Sequence, residues 1–194
     1  MGKTVRLILG DQLNAFHSWY QYTSEDKVYV MMEIRQETDY SHHHIQKVVA
    51  FFTAMRDFAS WLKSKGHNIL YLQLDDLRNT QSIPGNMDWI LKDAAADRFE
   101  YQLPDEYRLD VQLVNYAKGL SIGTEAVDTE HFLTQRHELR KFFAGKKTYL
   151  MESFYRHMRK KYDILMDGQN PSTGKWNYDA DNRSKLPDIS LLKT

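Results

Sequence analysis

The stretch Thr4-Val5-Arg6-Leu7-Ile8-Leu9-Gly10-Asp11 decides the fold. Its β-branched and apolar residues break off at a glycine and an acid, as a strand covered on both faces does at its carboxyl end. The same grammar recurs downstream. Lys27-Val28-Tyr29-Val30-Met31-Met32 runs up to Glu33, and Asn68-Ile69-Leu70-Tyr71-Leu72 forms a third run. Arg98-Phe99-Glu100-Tyr101-Gln102 is a weaker fourth, and Thr124-Glu125-Ala126-Val127 a fifth. None alternates cleanly between apolar and polar, which argues against a sheet with one wet face.

Helical periodicity fills the gaps. Over residues 45–65 the apolar positions Val48, Val49, Phe52, Met55, Phe58, Ala59 and Leu62 form one stripe, closed by Lys65-Gly66. Residues 87–95 and 106–118 form shorter helices, the second ending before Gly119. Strands alternating with helices across short joints specify a three-layer α/β/α, Rossmann-like domain around a five-stranded parallel sheet. Such a sheet leaves a crevice at the carboxyl ends of its strands.

The alternation stops near residue 133, so residues 1–133 read as the α/β domain and 134–194 as a helical and loop linker. Within the linker, Leu139, Phe142 and Phe143 mark one helix, and Thr148 is positioned to cap another over 149–162. Asp167-Gly168-Gln169-Asn170-Pro171-Ser172-Thr173-Gly174 is a turn-rich loop. From Lys175 on no period is visible, and the segment reads as a connector toward a further domain.

Composition narrows the class. Of 194 residues, 42% are hydrophobic and 27% charged, the balance of a globular domain. No window approaches the roughly 20 apolar residues of a membrane helix. The N-terminus enters a strand directly, without the longer apolar core of a signal peptide. No membrane role and a cytoplasmic location are therefore expected. With no cysteine, these residues supply no disulfide, thiolate nucleophile or thiolate-held cluster. A net charge of zero conceals an acidic body and a tail, residues 136–194, with a surplus of basic residues.

Candidate chemistry collects at the expected crevice. Gly10 lets the chain turn sharply or a ligand approach, and Asp11 can accept hydrogen bonds from ring N–H or hydroxyl groups. The pair reads equally as turn chemistry. Glu37 and Tyr40, following the second strand, form a second wall of the same pocket or belong to a polar loop that caps the next helix through Asp39 or Ser41. His42-His43-His44 suggests a metal, but neighbouring side chains diverge and no spacing completes a ligand set. One of these histidines caps the helix or lines the crevice. No dinucleotide fingerprint, phosphate loop or nucleophile elbow is present. A nucleotide-handling α/β enzyme using the crevice stands as the alternative to a binding module. In the tail, Arg156, Arg159, Lys160 and Lys161 alternate with Phe154, Tyr155 and Met158, and Trp176, Tyr178 and Arg183 follow. That mixture suits either a nucleic-acid strand or the docking of a second domain.

Taken in order, Leu7–Leu13, residues 33–40, His42-His43, Phe51–Arg56, Met151–Arg156 with Met158-Arg159, Trp176–Asp179 and Asn182-Arg183 resemble one family. It is the photolyase-related branch of bacterial cryptochromes and (6-4) photolyases that carries an iron–sulfur cluster. The resemblance implies an N-terminal α/β domain that holds an antenna chromophore, typically 6,7-dimethyl-8-ribityllumazine. It also implies a helical domain, absent from these residues, that binds FAD and the iron–sulfur cluster and acts on DNA under light. By position, Asp11 and Glu37 correspond to polar contacts of the lumazine, and Gly10, Met32 and Tyr40 to its walls. Arg183 corresponds to the DNA-facing edge of the complete protein.

Overall fold

A computed structural model describes residues 2–39 and 41–179. Five strands form one all-parallel sheet: β1 (Lys3–Leu7), β2 (Lys27–Met32), β3 (Ile69–Leu72), β4 (Ala96–Gln102) and β5 (Gly123–Val127). Their spatial order is β3-β2-β1-β4-β5. The chain winds outward from β1 in one direction, then returns to continue on its other side. The β1/β4 junction is therefore the switch point of a doubly wound sheet.

Among the described residues four α-helices punctuate this domain: α1 (Arg35–Thr38), α2 (Ile45–Ser64), α3 (Ile83–Asp93) and α4 (Tyr107–Gly119). Strand side chains alternate between two cores. Val5, Leu7, Val30, Met32, Leu72, Phe99 and Tyr101 meet α3 and α4 through Met87, Ile90, Leu109 and Leu113. Ile8, Tyr29 and Met31 meet α2 through Phe52, Met55, Phe58 and Leu62, with Trp19 and Tyr20 beside them. This is the expected three-layer architecture, its strands apolar on both faces because both are covered. Edge strand β5 is the exception, largely exposed along its length.

One boundary in this domain differs from expectation, and one choice between expected caps is decided. Helix α3 begins four residues earlier, at Ile83, because Ser82 accepts from the Gly85 amide and Pro84 occupies the first turn. Helix α2 is capped by His44, whose Nδ1 accepts from the Gln46 amide, and not by Asp39 or Ser41. Asp39 instead pairs with Arg35 across α1 at 3.0 Å.

The chain divides into two compact units, Met1–Gln135 and Arg136–Thr194. The second contains α5 (Glu138–Phe143), α6 (Met151–Tyr162) and a minimal hairpin of β6 (Met166–Asp167) and β7 (Asn170–Pro171). Helix α6 starts two residues later than expected and has no side-chain cap, so Thr148 does not serve as one. Arg159, one of the tail cations read as suiting either a nucleic-acid strand or a docking domain, is buried and donates to the carbonyls of Ile164 and Leu165. It thus fixes a turn in which Asp163 and Leu165 adopt positive φ. None of the described helices is long and apolar enough to cross a membrane.

Candidate functional site

Glutamine 12 builds the floor of the switch point. Its Oε1 accepts from the Leu9 amide at 2.9 Å and its Nε2 donates to the Gln102 carbonyl at 3.2 Å, tying the end of β1 to the end of β4. Above this tie the chain turns through Gly10 and Asp11. A Cβ on Gly10 would stand 2.5 Å from the ring of Phe51 and 2.8 Å from Met55 Sδ. The room left by this glycine is therefore filled by α2, so a packed ring is what requires glycine here.

A cleft of about 650 Å³, counting its open mouth, lies over the carboxyl ends of the central strands. Asp11 follows β1, Glu37 lies in α1 after β2, and Glu106 precedes α4 after β4; all three line it. Lys47, Val48 and Phe51 from the first turns of α2 form one side, and Arg108 and Leu109 from α4 the other, with His43 and Thr38 at the rim. Parallel strands bring their carboxyl ends to one edge, and this is what gathers residues so distant in sequence.

The carboxylates are not equivalent. Burial pushes the Asp11 carboxyl up, against a lowering backbone hydrogen bond, and the charges of Asp105 and Glu106 add to the rise. Glu37 is also raised, first by burial, then by Asp11 and Glu106, with Arg108 opposing. Glu106 goes the other way, because Arg108 Nε donates to it at 2.7 Å and the Arg108 and Leu109 amides add further bonds. The cleft thus pairs one satisfied carboxylate with two that gain by meeting hydrogen-bond donors.

Glu33, at the end of β2, is fully buried and does not face the cleft's ligand space. Arg56 Nη2 donates to it at 2.8 Å, Tyr71 Oη at 2.7 Å and the Leu74 amide at 3.0 Å. Burial alone would raise its pKa, but these donors and the Arg56 charge outweigh that and hold it below the usual carboxylate value.

Of the residues expected at the site, Asp11 and Glu37 come together in one cleft. Gly10 sits against the Phe51 ring that lines it. Met32 does not join them: its side chain points to the α3 face of the sheet, buried in the core, where Asn86 Nδ2 approaches its Sδ at 3.4 Å. Strand alternation explains this, since Met31 takes the α2 face and its neighbour must take the other. Tyr40 and Arg183 lie outside the described residues. Of the histidines, His44 caps α2 and His43 lines the cleft. Among the described residues no group of three or more His, Asp or Glu side chains is placed to hold a metal. Glu106, Arg108, Lys47 and Phe51 were not singled out by the sequence. Glu106 carried the same signal as Asp11, a position just past a parallel strand, masked by its reading as a helix start.

A doubly wound, all-parallel sheet with an acidic cleft over its switch point defines a Rossmann-like α/β domain, here followed by a small helical unit. Residues 6–193 match the family described as deoxyribodipyrimidine photo-lyase-related protein, and the chain belongs to that family. It is 34% identical over 185 residues to a (6-4) photolyase of Agrobacterium fabrum, a match covering 94% of this chain and 36% of that protein. The chain therefore spans little more than a third of that relative. It is also 24% identical over 194 residues to an uncharacterized protein of Acanthamoeba polyphaga mimivirus, covering 95% of this chain and 96% of that protein.

Proposed function

We propose that the cleft holds an antenna chromophore, 6,7-dimethyl-8-ribityllumazine, in a photolyase- or cryptochrome-like flavoprotein of light-dependent DNA repair or blue-light sensing. The observation that carries this reading is the convergence of Asp11 and Glu37 on a cleft walled by Val48, Phe51 and Leu109. A flat heterocycle with a ring N–H and a hydroxylated side chain offers donors to carboxylates and an apolar face to such a wall. When bound, the chromophore supplies light absorption and passes excitation energy to a flavin. The chain's own contribution is to bind and orient: Asp11 and Glu37 accept hydrogen bonds, and Phe51 limits the depth of entry.

The alternative, a phosphate ester in the same cleft, is disfavoured because carboxylates outnumber cations in its lining, Asp11, Glu37 and Glu106 against Lys47 and Arg108, and the sequence holds no phosphate-cradling glycine loop. With no cysteine, the chain offers no thiolate to an iron–sulfur cluster. On this reading FAD and the cluster belong to the helical part of the whole protein, and DNA is a partner of that whole protein.

Titrating the chain with the lumazine, followed by its fluorescence, should give saturable binding. Asp11→Ala should weaken it about tenfold, the loss of one hydrogen bond to a charged group. Absence of binding at high micromolar lumazine, with the chain's thermal unfolding still cooperative, would remove the assignment.

A further inference from the structure

At the amino-terminal edge of the sheet, opposite the acidic cleft, α3 and α4 flank a hollow of about 490 Å³, counting its open mouth. Leu91 of α3, Ala96 at the start of β4, and Leu120 and Ile122 before β5 give it an aliphatic floor. Leu91 is buried, whereas the other three pack on the core and stay partly open to solvent. Two opposite charges, Asp88 and Lys92, stand at the rim one turn apart on α3. An acid four residues ahead of a lysine is the favourable order for an ion pair along a helix. That pair is not made, and among the described residues Lys92 has no carboxylate partner. Asp88 is drawn across to α4 instead, where Tyr116 Oη donates to its Oδ1 at 2.9 Å. The Tyr116 ring stands edge-on to Phe99 at 5.8 Å. Burial, and then the Asp88 carboxylate, push its pKa up, so the hydroxyl stays a donor. Asp88 Oδ2 and the Lys92 ammonium thus both remain open at the mouth.

We propose that this hollow binds a free aliphatic α-amino acid. The ligand's side chain lies on Leu91, Leu120 and Ile122, its ammonium meets Asp88, and its carboxylate meets Lys92. A free amino acid carries both charges on one carbon. Its head group therefore bridges the turn between the two rim residues, whose Cβ atoms on a helix are about 5–6 Å apart. A peptide side chain brings one charge only, and a simple amine or fatty acid leaves the other rim residue unanswered. Exposed ion pairs contribute little each, so the two charges set selectivity while the aliphatic floor supplies most of the affinity. Together they place the dissociation constant on the order of millimolar. The hollow shares no residue with the acidic cleft, and the inference stands or falls independently of the antenna reading.

The test follows backbone amide shifts of the complete 194-residue chain by NMR during titration with three probes. L-leucine carries both charges, L-leucinamide the ammonium alone and N-acetyl-L-leucine the carboxylate alone. Saturable shifts centred on Leu91, Ala96 and Ile122 are expected with L-leucine, and each derivative should bind about fivefold more weakly, the worth of one exposed ion pair. Asp88→Asn keeps an acceptor for Tyr116; it should weaken L-leucine about fivefold and leave N-acetyl-L-leucine unchanged. Lys92→Met should weaken L-leucine to the same extent and leave L-leucinamide unchanged. Both positions are exposed, so the rest of the amide spectrum should superimpose on that of the wild type. Absence of a saturable shift with L-leucine would overturn the proposal, as would L-leucine binding that neither variant moves. L-leucinamide binding as tightly as L-leucine would overturn it too, and would reassign the hollow to a cationic side chain of a partner peptide.

Discussion

The walls of the cleft partly desolvate the Asp11 and Glu37 carboxyls, although Asp11 stays exposed on one side, and the charge of Asp11 raises Glu37 further. A carboxyl whose folded pKa lies above its unfolded value favours the folded state when protonated. That contribution is lost as pH rises from the unfolded value through the folded one. Ionised Glu37 is therefore a local cost to stability near neutrality. Glu37→Gln is expected to raise Tm slightly at about pH 7, with the advantage shrinking toward zero near pH 4, where the wild-type carboxyl is protonated. Melting curves across that range check it, and an advantage that grows on acidification would contradict the sign. The same variant should weaken lumazine binding, so stability and function move in opposite directions, as strained sites do. Asp11 and Glu37 were legible in the sequence because each follows a buried parallel strand. Phe51 was not, because an aromatic residue in an amphipathic helix reads as core, and only the contact with Gly10 shows what it faces.

Elements β2, α2 and β3 are joined through one buried carboxylate. Glu33 ends β2, receives the Arg56 guanidinium from α2 and the Tyr71 hydroxyl from β3, and also binds the Leu74 amide. Asn79 completes the joint by donating to the Glu33 and Gln73 carbonyls at 2.7 and 2.9 Å. Removing the arginine strands a buried charge, a loss of about 3–5 kcal/mol for a fully buried pair. The Arg56 side chain is 52% exposed, so its share is screened, and Arg56→Met should cost about 2 kcal/mol. The Glu33 pKa is lowered, so this stabilisation is complete above the unfolded carboxylate value and fades as pH falls through the folded one. Urea unfolding at about pH 7 and pH 3 should show the gap between variant and wild type closing on acidification. Strand and helix identities were readable at this scale because their hydrophobic periods are strong. Their boundaries were less so: Gly85 conceals the first turn of α3, and the cap of α2 stood open between Asp39 or Ser41 and one of the histidines.

Charge is distributed unevenly over the whole molecule: residues 1–135 hold 13 basic and 19 acidic side chains, and residues 136–194 reverse the excess. The first unit is also self-sufficient in its packing. Both hydrophobic clusters lie wholly within it, as does every residue lining the acidic cleft. Its chain exit is secured before the unit ends. His17 Nδ1 accepts the Trp19 amide, so the ring carries its proton on Nε2 and donates to the Asp128 carbonyl at 2.8 Å. Asn14 Nδ2 reaches the Glu130 carbonyl at 3.3 Å, and Ser18 Oγ the Glu130 carboxylate at 2.6 Å. These bonds fasten the segment after β5 to the loop after β1, the two strands flanking β4. At 135 residues such a unit is within the usual size of an independent domain. A fragment ending at Gln135 should therefore unfold cooperatively and keep its affinity for the lumazine within about twofold of the full chain. Circular dichroism melts with the lumazine titration decide this. A fragment without a cooperative transition would show that the second unit supplies part of the core, and would move the boundary of the folding unit past Gln135.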